Sequence, residues 1–167
     1  MRIVVVSDTH RNTALLHRCV RQAIADGPID VFLHCGDGVR DLESVENDLL
    51  KANPRIRIVA VRGNCDLGAF SWPDSEIIDL NGIRAFVTHG HLYQVKHGQG
   101  HLARAARELQ ATLAFFGHTH QAAVSEKHGV TLINPGSLSS QALSDIAYLE
   151  VRIDSNQPIR VNFMSFR

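Results

Sequence analysis

Seven side chains able to ligate a metal fall at five places in the 167-residue chain, each just after a short apolar run. Asp8 and His10 follow residues 3–6, Asp37 follows 31–33, and Asn64 follows 56–61. His89 follows 83–87, and His118 and His120 follow 113–116. Imidazole nitrogens, carboxylate oxygens and one amide oxygen suit a divalent cation, and the thiolates of a structural zinc knuckle are missing from the set. Asp8 and His10 are two residues apart, as are His118 and His120, so in an extended or turn segment each pair can face one pocket. Glycine precedes Asp37, Asn64 and His118. A missing side chain there lets the backbone approach the site and take unusual dihedrals. Seven ligands exceed the needs of one ion and divide over two, about 3.5–4 Å apart with a shared carboxylate. Two divalent ions set against Asp8 and Asp37 leave the cluster with a charge of about +2, which draws anions and lowers the pKa of a bound water. Hydrolysis of a phosphoester by a metal-bound hydroxide, attacking in line with the leaving oxygen, is the reaction these parts fit.

For these groups to meet, the apolar runs must be strands that end at one edge of an α/β sheet, where ligand sites lie. Residues 3–6 are a β-branched run of the kind buried on both faces. Residues 12–25 have apolar side chains at 15, 16, 19, 20, 23 and 24, a helical spacing, with Asn12 as N-cap and Asp26-Gly27-Pro28 as the stop. A strand at 31–33, a helix over 39–52 ended by Asn53-Pro54, and a strand at 56–61 complete a βαβαβ order. Residues 62–75 read as an irregular loop. The second half is strand-rich. A hairpin joins 77–80 to 83–87 through Asn81-Gly82, and a helix over 100–110 leads to a strand at 113–116. A second hairpin, 121–126 with 130–133, turns at His128-Gly129, and strands at 146–153 and 159–163 flank a turn at 154–158. This order predicts a mixed sheet, or two packed sheets, flanked by helices. No repeat or linker interrupts it, so residues 1–167 read as one domain.

Composition removes several classes. Lys+Arg and Asp+Glu are 17 each and hydrophobic residues make up 44%, which excludes intrinsic disorder. Only three of the 17 cations are lysine and no basic run occurs, which argues against a long nucleic-acid groove. No apolar stretch reaches the roughly 20 residues of a membrane span, and residues 3–6 are too short for the core of a secretory signal. Cys19, Cys35 and Cys65 are odd in number with no metal or framework spacing, so they read as reduced thiols of a cytoplasmic protein.

The remaining polar residues have plainer readings. His91 reads as a residue that orients His89 or its loop. His97 and His101 read as an exposed helix entry, and His17 and His128 as surface residues. Cys19 and Cys35 read as small core fillers, and Arg62 as half of an ion pair. Asn134 to Ser137 form a tight turn whose N–H groups can face the site. His34 stays open between site support and core, and Asp66 between holding a ligand and capping a turn.

Asp8-x-His10, Gly36-Asp37, Gly63-Asn64, His89 and Gly117-His118-x-His120, in that order, resemble the signature of the calcineurin-like metallophosphoesterases. Gly63-Asn64-Cys65-Asp66, Thr88-His89-Gly90-His91-Leu92 and Asn134-Pro135-Gly136-Ser137 narrow the resemblance to the small bacterial and archaeal phosphodiesterases of that superfamily. It covers the chain from Met1 to Glu150. It implies a four-layer α/β/β/α sandwich of two mixed β-sheets flanked by helices. It implies that Asp8, His10 and His120 bind one divalent metal, that Asn64, His89 and His118 bind a second, and that Asp37 bridges. Manganese is the metal it favours, with iron, zinc or nickel as alternatives. A small phosphodiester as substrate, and association of the chain with itself, follow from the same resemblance.

Three departures stand out. Cys65 occupies the position where many members have the histidine thought to protonate the leaving group, which implies weaker activity and a preference for good leaving groups. Arg11 follows His10 where glycine is common; it either reaches the substrate phosphate or is a solvated helix-entry residue. Ser139 to Ser144 run almost directly into the next strand, where the subgroup has a longer loop. The catalytic set implied is therefore Asp37, Asn64 and His89, joined by Cys65 and Arg11. Two alternatives remain: a weakly active, metal-binding scaffold of the same fold that engages other proteins, and a phosphomonoesterase.

Overall fold

A computed structural model describes residues 1–142, 146–154 and 157–166. Residues 143–145, at the end of the shortened segment after Ser139, and 155–156 of the expected turn lie outside the described residues. The first half runs β1 (Arg2–Val6), α1 (Thr13–Ala25), β2 (Val31–His34), α2 (Glu46–Ala52) and β3 (Arg57–Ala60). The second half runs β4 (Ser75–Leu80), β5 (Ile83–Thr88), α3 (Gly100–Glu108), β6 (Leu113–Phe115), β7 (Ala122–Lys127), β8 (Val130–Pro135), β9 (Ile146–Arg152) and β10 (Arg160–Ser165).

The element order matches the sequence reading, with one difference in kind. The helix expected over 39–52 is broken. A 3-10 helix, Val39–Ser44, precedes α2. Ser44 Oγ donates to the Asp41 carbonyl at 2.6 Å, offering the backbone an alternative to the helical ladder. The Asp41 carboxylate accepts from Thr9 Oγ1 at 2.5 Å and from the Arg11 N–H at 3.0 Å. The loop after β1 therefore dictates the geometry of this turn, and helical periodicity does not. Two further 3-10 turns, His91–Tyr93 and Val95–His97, follow β5.

The strands form two five-stranded sheets, in the orders β10-β9-β1-β2-β3 and β4-β5-β6-β8-β7. In the first, β1, β2 and β3 run parallel and β9 and β10 antiparallel; in the second, β5, β6 and β8 run parallel. Alternation along β1 explains the layering. Ile3 and Val5 enter a core shared with Leu33, Val87 and Phe115, between the two sheets. Val4 and Val6 turn the other way, onto Leu16, Val20 and Leu49 of α1 and α2. Across the second sheet, Phe86, Ala114 and Leu132 pack on Leu102 and Ala106 of α3. The result is a four-layer α/β/β/α sandwich. Each fully buried Val, Ile or Leu in these layers contributes about 1.5–3 kcal/mol relative to exposure. No helix among the described residues is long and apolar enough to cross a membrane.

Candidate metal centre

The carboxyl ends of β1, β2 and β3 and those of β5 and β6 lead into loops that meet at one edge of the sandwich. Asp8 leaves β1 fully buried. Its Oδ2 accepts from Ser7 Oγ at 2.5 Å and from the His118 N–H at 3.0 Å. This leaves Oδ1 facing His120 Nε2 at 3.1 Å and His10 Nε2 at 3.8 Å. Asp37, after β2, is held in the same way. The Cys65 N–H donates to Oδ1 at 2.7 Å, and Oδ2 faces His89 Nε2 at 3.4 Å and His10 Nε2 at 3.9 Å. His89 Nδ1 lies 2.7 Å from the Cys35 carbonyl, so Nδ1 carries the proton and the Nε2 lone pair points inward.

Two groups of donors converge: Asp8 with His10 and His120, and Asp37 with His89 and His118. In each, one ligand atom from every residue lies within 4.8 Å of the others. Asp8 Oδ1 and His89 Nε2 are buried without a hydrogen-bond partner among the described residues. An orphaned buried acceptor is costly, and carboxylate oxygens facing imidazole lone pairs are what a divalent cation takes. The residues fit such an ion.

The local backbone is built for this convergence. Asp8, His10, Asp37, His118 and His120 all have φ between 46° and 66°, a region uncommon for residues with a side chain and concentrated at functional sites. A Cβ on Gly63 would strike the Asp37 carboxylate, and one on Gly117 would strike Ser7 and the Asp8 carboxylate. The loops can close on the two acids only because those positions lack a side chain.

Asp66 shows most plainly how the loops are held. Its carboxylate accepts four backbone N–H groups, from Asp37, Gly38 and Gly63 at 2.8 Å and from Val39 at 3.1 Å. It thereby ties the loop after β2 to the loop after β3. His34 is buried, accepts the Gly36 N–H on Nδ1 at 3.2 Å and meets Thr9 Oγ1 through Nε2 at 3.3 Å. Burial pushes its pKa down to about 4, so it supports the loops as a neutral ring. Asn134 donates to the Gly117 carbonyl and to Thr119 Oγ1, and Ser137 Oγ donates to the Asp8 carbonyl. In this turn the Asn134 and Ser137 side chains brace the site, and the Gly136 N–H donates to Asn134 Oδ1 at 2.8 Å.

Electrostatics follow the same layout. Burial, then the proximity of the titratable His89 ring, lowers His118 to about 4 and keeps it a neutral donor. His120 is raised by its contact with Asp8. His89 is raised because the facing Asp37 and Asp8 carboxylates outweigh its burial, and Asp37 is lowered because His89 and the Cys65 donors outweigh its own.

Residues 1–156 match the family model described as the calcineurin-like phosphoesterase superfamily domain. The chain belongs to that superfamily. Among superfamily members, the probable metallophosphoesterase YsnB of Bacillus subtilis is 31% identical over 139 residues, covering 83% of this chain and 75% of that one. Phosphodiesterase MJ0936 of Methanocaldococcus jannaschii is 30% identical over 149 residues, 81% of this chain and 83% of that one. Vacuolar protein sorting-associated protein 29 of Schizosaccharomyces pombe is 28% identical over 139 residues, 82% of this chain and 72% of that one. The crystal structure of a conserved predicted phosphoesterase from Streptococcus pneumoniae superposes with a TM-score of 0.77 at 25% identity, covering 98% of this chain and 88% of that one.

For this phosphoesterase-superfamily chain, six of the seven expected ligands fall in the two donor groups. Asn64 is exposed on the adjoining loop, and its amide nitrogen contacts Cys65 Sγ at 3.3 Å. Cys65 stands with His10 and Asp37 in a third group of donor atoms, and burial followed by its hydrogen bond to Asp37 pushes the thiol up to about 11. Arg11 is exposed and lines a cleft beside the centre. His91 lies with its ring 5.4 Å from that of His89. Arg62 pairs with Asp74 at 2.7 and 3.0 Å, Cys19 and Cys35 are buried, and His97, His101 and His128 are exposed. Sequence reasoning passed over Ser7, Thr9, Arg40 and Asp41. Adjacency to Asp8 and Asp37 was the available signal, and it is weak.

Proposed function

We propose that this chain is a dinuclear metal-dependent phosphodiesterase. The reading rests on one observation: Asp37 Oδ2 faces His10 of one donor group and His89 of the other, the position of a bridging carboxylate. Asp8, His10 and His120 would hold one divalent ion, Asn64, His89 and His118 the other, and Asp37 both. When bound, such ions, manganese foremost, supply a nucleophile at neutral pH and draw charge from the phosphorus oxygens. The chain's own residues do the rest. Ser7, the His118 N–H and the Cys65 N–H aim the two carboxylates, and Asp66 keeps the loops at a fixed separation. Arg11 offers a guanidinium to substrate oxygens. Cys65, a protonated thiol beside His10 and Asp37, would hand a proton to the leaving oxygen. Three free cysteines suit the reducing cytoplasm.

The likeness to vacuolar protein sorting-associated protein 29 motivates the scaffold alternative, and the complete set of ligand-type residues favours the enzyme. Manganese reconstitution separates them. The enzyme takes up about two ions per chain and hydrolyses bis(p-nitrophenyl) phosphate faster than p-nitrophenyl phosphate, and Asp37→Ala abolishes turnover. Native-rate hydrolysis by Asp37→Ala rejects the assignment, and full metal content without turnover selects the scaffold.

A further inference from the structure

Resting on the hydrolase reading of the metal centre, we propose that the adjoining cleft binds a second anionic group, so that the substrate is a short phosphodiester carrying another phosphate beside the scissile one. The cleft has a volume of about 280 Å³ and is lined by His10, Asp37 and Cys65, which it shares with the centre, and by Arg11, Arg40 and Leu67. One molecule can therefore occupy both places.

The charges of this cleft are unequally engaged. Its three carboxylates are turned to partners inside the protein. Asp66 accepts four backbone N–H groups. Asp41 accepts the Thr9 hydroxyl and the Arg11 N–H. Asp37 accepts the Cys65 N–H and faces two histidines. The two guanidiniums are not balanced in this way. Arg11 has no side-chain partner among the described residues, and Arg40 donates through Nη2 to one carbonyl, that of Gly68, at 2.9 Å. Arg62, on the neighbouring loop, makes the contrast: it forms two bonds to Asp74 and lies over the Phe70 ring.

Arg11 is also held at a backbone geometry it would not choose. Its φ is 66°, and its N–H is fixed by Asp41. The chain keeps an arginine in the left-handed region at the mouth of the cleft. Two planar, permanently charged forks beside a phosphate-binding centre suit a second phosphate, because guanidinium donors match its oxygens in pairs. Leu67, 85% exposed at the cleft wall, gives an apolar edge for the sugar or base that joins the two phosphates. Two cations and no net charge serve a short substrate and not a long polyanion.

The test compares the p-nitrophenyl ester of thymidine 5′-phosphate with the same ester bearing a 3′-phosphate, on the manganese-reconstituted chain. The expected result is a kcat/KM ratio about ten-fold or more in favour of the second phosphate. The ratio falls towards one in Arg11→Gln/Arg40→Gln, is partly kept in Arg11→Lys/Arg40→Lys, and shrinks with added potassium chloride. A wild-type ratio of one or less overturns the proposal, as does a double variant that keeps the wild-type ratio. Calorimetric binding of thymidine 3′,5′-bisphosphate against thymidine 5′-monophosphate reads the same preference without turnover. Absence of hydrolysis then counts against the hydrolase reading, and equal affinities count against the second anion site.

Discussion

β1 carries a buried charge at each end, and the two are satisfied in opposite ways. At its start, Arg2 donates through Nε to Glu150 at 2.7 Å and through Nη1 to the carbonyls of Ala23 and Gly27 at 2.9 and 2.7 Å. Arg152 closes on the other Glu150 oxygen at 2.8 Å. At the far end, Asp8 and Asp37 have one oxygen each fixed by hydrogen-bond donors and the other turned to histidines. The chain supplies both signs of charge at the first place and only ligands at the second. Burying a charge is costly unless it is paired. The first site is thus charge-paired as folded, although Arg2 Nη2 has no hydrogen-bond partner among the described residues, and the second is arranged for cations that come from solution.

That contrast can be broken most severely at the charge-paired site. Arg2→Met leaves Glu150 buried against Arg152 alone and should destabilise the fold by about 3–5 kcal/mol in urea unfolding, with turnover per folded molecule unchanged. Metal has the next largest effect. Manganese at one hundred times its Kd should add about 2.7 kcal/mol to stability, read as a rise in Tm; Glu150→Gln keeps that gain and Asp8→Asn loses it.

The pH dependence separates the same two sites. Burial raises the Glu150 pKa, but its bonds to Arg152 and Arg2 outweigh this and hold it below its usual value of 4.5. Its contribution is therefore full above that value and fades as pH falls through the lower folded-state value. The loss of stability on acidification should be shallower in Glu150→Gln, read as urea unfolding across a pH series.

Asp8→Asn sharpens the comparison from the other side. Asparagine keeps the acceptor for Ser7 and the His118 N–H while removing an unbalanced charge. Metal-free stability should rise by about 1 kcal/mol by thermal or urea unfolding; a fall of that size would mean the site is complete without metal. At the rim the effect is on rate alone. Cys65→His should speed hydrolysis by roughly ten-fold for poor leaving groups and less for good ones, if proton donation limits the rate. Equal changes across a leaving-group series would remove that role from Cys65.

Much of this architecture was legible in the chain. The β-branched run before Asp8, the Asn81-Gly82 hairpin and the helical spacing of 15, 16, 19, 20, 23 and 24 are local signals, and each produced the expected element. The helix over 39–52 was misread because its first turn answers to Thr9 and Arg11, which are distant in sequence. Asp66 could be narrowed only to two roles, since what it ties together are backbone N–H groups, which carry no residue code.

The sequence by itself determined the donor types, their order after each strand and the neutrality of the whole, because side-chain chemistry and periodicity are local properties. The tertiary structure alone decided that strand ends from two separate sheets meet at one edge, that one oxygen of each acid is turned inward, and that Arg11 and Arg40 share a cleft whose carboxylates are already engaged. Those facts depend on strand pairing and on hydrogen bonds between distant segments, which exist only once the chain has closed on itself.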